Sequence, residues 1–250
     1  MENDKITKTI NKWFEETFTK IQQNVKPPKQ LDLLCVAAFL CARKYSRAIL
    51  LLIDKGHNLP VQALLRVLCE LYVKLYWCLN VSDKIYKNGE DEIYRRFRRW
   101  DFSRVIQHKK LLKNLQDMGN TNPDVAAALS ELESSSQEYE SQGLDPMPEP
   151  PYKLFTELSG DWENLIYPKV YRRFSSAIHS DMRLIREFVK YDKKSGRILC
   201  FEDASYKIEE LLKCCISMAC DINLLIRNYY DFDSGKIQNE YVSIVRESSE

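Results

Sequence analysis

Apolar residues recur at steps of three and four along most of the chain and few runs alternate, which predicts an all-α protein, a multi-helix bundle of six or seven helices. A first amphipathic helix is expected from about Lys5 to Val25, ended by Pro27-Pro28, where the missing amide hydrogen and the ring forbid another turn. The next run, Leu31 to about Lys55, is so apolar that it is expected to lie in the core. Gly56-His57-Asn58 breaks the pattern, and Pro60 suits the first turn of a helix reaching Asn80. A long polar and aromatic helix follows from about Asp83 to Met118, with Gly89 as a point of interruption, and Asn122-Pro123-Asp124 opens a weaker helix to about Tyr139. Leu144 to Pro151 carries four prolines and reads as a connector. Helices resume at about Lys153, from Pro168 to Tyr191 and from Ala204 to Tyr229, while Arg197 to Phe201 suits a short strand after a Lys-Lys-Ser-Gly turn. The expected organisation is one helical domain over residues 1–250, with an N-terminal helix in 1–29, a core in 30–230 and a tail in 231–250 that frays beyond Ser234.

Composition adds limits rather than elements. With 250 residues, 44% of them hydrophobic, the chain can bury a substantial core. Met1 to Lys20 mixes charges of both signs and lacks the apolar stretch of a signal peptide, and the longest apolar run, Leu33 to Ala42, is too short to cross a bilayer. A cytoplasmic protein without a membrane partner is expected. The eight cysteines form no C-x-x-C pair and sit mostly in apolar helical stretches, so they read as reduced core thiols. The seven glycines make neither a P-loop nor a G-x-G-x-x-G fingerprint, and there is no G-x-S-x-G, H-E-x-x-H or E-x-x-H pattern. Neither a metal nor a cofactor is expected.

A net charge of +1 hides segregation. Residues 95–113 hold eight basic side chains against Asp101 alone, residues 114–152 hold eight acids and no base, and residues 168–197 return to nine bases against three acids. The two basic stretches would suit a polyanion, with Arg95, Arg96, Arg98, Arg99, Arg183 and Arg186 meeting phosphates and Phe97, Trp100 and Phe102 offering faces for unpaired bases. The same aromatics equally suit a core, and the arginines point round several sides of a helix.

The segment Tyr171-Arg172-Arg173-Phe174-Ser175-Ser176-Ala177-Ile178-His179-Ser180 carries one of only three histidines. At 100° per residue, Arg172, Ser175 and His179 fall along one helical stripe. Such a stripe fits phosphodiester cleavage: an arginine binds phosphate and stabilises its developing charge, an imidazole exchanges protons near neutral pH, and a hydroxyl donates a hydrogen bond. Arg66 and Glu70 stand four apart in an apolar helix and share a face. They form either a structural ion pair or a support for a site, in which Glu70 orients His179 as carboxylates orient catalytic histidines elsewhere.

Arg66-x-x-x-Glu70, the basic aromatic helix around Arg98-Arg99-Trp100, and Tyr171-Arg172-x-x-Ser175-x-x-x-His179-Ser180 together resemble an uncharacterised bacterial all-helical family, a domain of unknown function, over residues 30–230. The arginine and histidine separated by six residues also resemble the R-x(4–6)-H motif of HEPN domains, helical bundles that often act as metal-independent ribonucleases in toxin and phage-defence systems. That resemblance implies catalytic roles for Arg172 and His179, with Arg173 as the alternative arginine; the helical stripe and the Arg66/Glu70 pair add Ser175 and Glu70 as catalytic candidates, with Arg66 and Ser180 in support. It also implies a homodimer, because HEPN enzymes place two motifs across a dimer interface. The expectation is therefore a HEPN-like endoribonuclease acting on RNA, a toxin or antiviral-defence effector restrained by a regulatory or antitoxin partner. The competing expectation is a non-enzymatic helical interaction module in which the same residues pin helices together.

Overall fold

The computed structural model describes residues 2–25, 29–80, 90–148, 153–154, 189–191, 198–201 and 208–247. Among them run seven helices: α1 (Glu2–Asn24), α2 (Gln30–Asp54), α3 (Asn58–Leu79), α4 (Glu90–Asp117), α5 (Pro123–Ser141), α6 (Ile208–Tyr229) and α7 (Gly235–Glu247). The exception to an all-helical fold is an antiparallel pair of short strands, β1 (Val189–Tyr191) and β2 (Ile198–Phe201), in which Val189 faces Phe201 and Lys190 faces Cys200. The strand expected at Arg197 to Phe201 is thus present. The helix expected from Pro168 to Tyr191 does not extend that far: its last three residues, Val-Lys-Tyr, take the extended form that β-branched and aromatic residues favour once a partner strand is available.

Helix boundaries follow local chemistry. Asp32 accepts the Lys29 backbone N–H at 2.8 Å, closing the start of α2. α2 ends on Gly56 at φ +74°, where the His57 N–H reaches back to the Leu52 carbonyl at 2.9 Å, a bond that needs the left-handed conformation glycine adopts freely. α4 ends the same way on Gly119, and α6 ends on Asp231 at φ 56°, with the Phe232 N–H on the Arg227 carbonyl at 2.8 Å. The Asn122 side chain caps α5 by accepting the Asp124 N–H at 2.9 Å, with Pro123 in the first helical position.

The described residues group into two compact units, one of residues 1–76 and 155–250 and one of residues 77–154, where the sequence suggests a single domain. In the first, α6 packs against α1, α2 and α7, and α1 packs against α2. Buried positions on α1 fall at Ile6, Ile10, Trp13, Phe14, Thr17 and Ile21, a stripe of helical spacing, and the Phe14 ring lies 5.1 Å from that of Phe39 on α2. Full burial of side chains such as Ile10 and Phe14 contributes about 1.5–3 kcal/mol each. α6 is buried round most of its circumference, as suits the central helix of this unit.

Two departures from expectation concern burial. α2 was expected wholly in the core, yet Leu33 and Leu51, 58% and 62% exposed and on one face, point outward while Cys35, Phe39, Ala42 and Ile49 point in. An apolar sequence does not distinguish a covered face from an uncovered one. The residues expected to fray beyond Ser234 form α7 instead, docked through Ile237 and Ile244.

α7 is further held by charge. Glu240 accepts from Lys12 Nζ and from Trp13 Nε1, each at 2.7 Å, and Lys236 donates to Glu16 at 2.9 Å. Beneath these contacts lies Arg227, 2% exposed, donating from Nε to Thr17 Oγ1 at 2.8 Å and from Nη1 to the Asp233 carbonyl at 2.7 Å, with Nη2 at 3.8 Å from Glu16. Burial lowers the proton affinity of this guanidinium and the nearby acids Glu16, Asp233 and Glu240 oppose that effect.

The second unit is organised round an antiparallel hairpin of α4 and α5. Residues 144–148 of the proline-rich connector are strapped to α4: the Met147 N–H donates to the Arg99 carbonyl at 3.0 Å, Ser103 Oγ donates to the Met147 carbonyl at 3.2 Å, and the Arg99 guanidinium binds the Asp145 and Pro146 carbonyls.

Candidate functional site

Arg172, Arg173, Ser175, His179, Ser180, Arg183 and Arg186 lie outside the described residues. Of the remaining candidates, Arg66 and Glu70 stand on α3 and Arg95, Arg96, Arg98, Arg99 and Trp100 on α4.

Arg66 Nε donates to Glu70 Oε1 at 3.3 Å, with side-chain exposures of 11% and 27%. Cys69 beside them is fully buried. The pair is therefore neither a freely solvated surface contact nor a sealed one, and its value lies between those extremes. Glu70→Gln removes the charge and keeps the shape; we expect it to destabilise the protein by about 1–2 kcal/mol, seen as a lower urea midpoint with unchanged slope. An unchanged midpoint would mean that Arg66 does not depend on Glu70.

Asp221 belongs to no motif that marks it in sequence. It sits on α6 amid Cys220, Ile222 and Asn223, and burial pushes its carboxyl up to about 6 from 3.8. Its electrostatic neighbours include the buried Tyr72 phenol on α3, which burial raises and Asp221 raises further. The available signal was a lone acid inside the largely apolar stretch Ile216 to Ile226. Because the folded pKa exceeds the unfolded one, the native state holds this proton more tightly; that stability is fully present below about pH 3.8 and is lost as pH rises through about 6. Asp221→Asn should therefore stabilise the protein by about 2 kcal/mol at pH 7 and hardly at all at pH 4. Urea unfolding of both proteins at the two values checks this, and an equal difference at both would refute it.

The α4 arginines are engaged within their own unit. Arg95 and Arg96 pair with Glu92 at 3.0 and 3.1 Å. Arg96 also donates to the Trp77 and Asn80 carbonyls, satisfying the end of α3, and its guanidinium and that of Arg99 lie 5.3 and 5.2 Å from the Trp77 ring centre. Trp100 stacks on Phe97, with ring centres 5.9 Å apart. Arg98 lies 3.7 Å from Glu138 of α5 and 5.1 Å from the centre of the Tyr139 ring. Burial raises the Asp101 carboxyl, but hydrogen bonds from Arg104 and Tyr139 outweigh it and hold the group below the usual carboxylate range. Burial and that same bond push the Tyr139 phenol up to about 12. Further along, Lys113 meets Glu133 at 3.3 Å and Lys109 donates to Ser136 at 3.0 Å. The acidic stretch 114–152 thus supplies the helix that lies on the basic one.

Against known proteins, the model of a family of unknown function, DUF5677, matches residues 32–197. The chain belongs to DUF5677. No curated protein and no solved structure matches it. The DUF5677 segment spans nearly all of α2, then α3 to α5 and β1, and so contains Arg66, Glu70, the α4 arginines and the Arg172 to His179 stripe; Asp221 and Arg227 lie beyond it. The likeness to an uncharacterised domain family drawn from sequence is met by this membership.

Among the described residues no helix is long and apolar enough to cross a membrane. Of their cysteines, Cys35, Cys69, Cys78, Cys215 and Cys220 are buried as expected of core thiols, whereas Cys41 is exposed on α2. Burial pushes the Cys215 thiol up to about 12, which keeps it protonated and unreactive.

Proposed function

We propose that this DUF5677 protein is a HEPN-like, metal-independent endoribonuclease, acting as a toxin or phage-defence effector and working as a homodimer in the cytoplasm. The observation that carries the reading is the Arg172, Ser175, His179 stripe, whose residue types are those that phosphodiester cleavage uses. His179 takes the proton from a ribose 2′-hydroxyl, or gives one to the departing 5′-oxygen. Arg172 holds the scissile phosphate and neutralises the charge that builds on it, Arg173 being the alternative, and Ser175 donates a hydrogen bond. The 2′-oxygen forms its bond to phosphorus as the bond to the 5′-oxygen breaks, leaving a 2′,3′-cyclic phosphate and a free 5′-hydroxyl. One imidazole does not serve comfortably as both acid and base, so a second chain supplies the other.

A second reading, a helical interaction module of a defence or regulatory complex, draws on the described geometry: Arg66 pairs with Glu70, and Arg96, Arg98 and Arg99 bind carbonyls, rings and acids of their own unit. The two part on one assay. The nuclease cuts RNA in the presence of EDTA, leaves DNA intact and yields the cyclic phosphate. The module cuts neither.

A further inference from the structure

α4 and α5 make contacts of the kind that an RNA strand makes with a basic aromatic surface. The Tyr139 ring of α5 meets an aromatic ring and a cation of α4: the Phe102 ring lies 5.1 Å away at an interplanar angle of 26°, and the Arg98 guanidinium lies 5.1 Å from its centre. Unpaired nucleobases are held by contacts of the same two kinds, stacking on aromatic rings and on arginine planes. The acids of α5 stand where phosphates would. Glu138 meets Arg98 at 3.7 Å, Glu133 meets Lys113 at 3.3 Å, and Glu140 accepts from Ser136, which itself accepts from Lys109. The ladder follows four turns of α4, from residue 98 to residue 113.

Few side chains of this 19-residue helix are buried. Only Leu129 and Ser136 of α5 are buried, and the Glu138 and Glu133 side chains are 67% and 45% exposed. Pairs so open to solvent contribute little and are screened by salt. What a displacing strand has to replace is chiefly the Tyr139 stack on Phe102 and the 2.6 Å hydrogen bond from Tyr139 to Asp101, while residues 145–147 stay strapped to α4.

We propose that α5 is an internal mimic of single-stranded RNA, which occupies the basic aromatic face of α4 and is displaced when RNA binds there. The inference rests on the RNA-directed reading above and adds where the strand lies and what guards that surface. Arg98, Lys109 and Lys113 take the phosphates, and a base replaces Tyr139 against Phe102 and Arg98.

The probe is a fluorescein-labelled uridine oligonucleotide, followed by anisotropy. Glu133→Gln, Glu138→Gln and Glu140→Gln together should tighten binding at least tenfold at low salt and steepen its salt dependence. A control carrying Asp4→Asn, Asp54→Asn and Glu209→Gln gains the same net charge away from the hairpin and should bind as the wild type does. Adding Arg98→Gln to the α5 triple variant should cancel most of the gain. Hydrogen exchange on the wild-type chain gives a readout independent of any variant's folding: the oligonucleotide should accelerate exchange of α5 amides and leave α6 unchanged. Equal affinity of the triple variant and the control, or α5 protection that the oligonucleotide leaves unaltered, overturns the proposal. Cleavage by wild type with no effect of the α5 changes would remove the mimic and leave the nuclease; tightened binding without cleavage would do the reverse.

Discussion

His179→Ala is expected to slow RNA cleavage by about two to four orders of magnitude, the usual worth of a positioned acid or base, with the helical circular-dichroism signal unchanged. Arg172→Ala should fall comparably, since it removes the charge that meets the scissile phosphate. Arg98→Ala should act differently, weakening binding and flattening its salt dependence while the cleavage step survives. The assay belongs in the presence of the biological trigger, because a restrained effector is silent at rest. Full cleavage by His179→Ala would dismiss His179 as the proton-transfer group, and wild-type protein that leaves RNA intact would put the interaction module in the nuclease's place.

The largest stability effect is expected at Arg227. Its guanidinium is sealed among α1, α6 and the turn before α7, with Thr17, the Asp233 carbonyl and Glu16 as partners. Arg227→Ala opens a cavity of several methylenes and leaves the Thr17 hydroxyl and the Asp233 carbonyl without their donor. Together these should cost about 3–5 kcal/mol. Arg227→Lys keeps the charge but cannot reproduce the forked geometry, so it should recover only part of the loss. Urea unfolding ranks the three proteins; a midpoint for Arg227→Ala equal to that of the wild type would show the cluster to be energetically idle.

Much of this fold was legible because its signals are local. Pro27-Pro28, Gly56, Pro60 and the Asn122 cap bracket helices whose observed limits fall within a few residues of the expected ones. α7 went unread because its two buried isoleucines are spread among six charged or amide residues, a pattern that gains meaning only beside α1. The charge blocks were visible, but a basic run and an acidic run look the same in sequence whether they meet each other or separate partners. Asp221 was missed for a similar reason: burial that raises its carboxyl comes from other helices. The Arg172 to His179 stripe rests on spacing and resemblance, its residues lying outside those the structure describes.

The latch between α1 and α7 bears on how the polypeptide is made. Lys12 and Trp13 find their acceptor at Glu240, more than 220 positions later. On a ribosome, α1 emerges long before either α6 or α7, so its buried stripe can meet α2 but must wait for the remainder of its cover. Contacts of such long separation form late and slow the final step of folding. The nascent chain should therefore spend most of its synthesis with Trp13 unshielded, a natural client for chaperones, and reach protease resistance only after the segment containing Glu240 has cleared the exit tunnel.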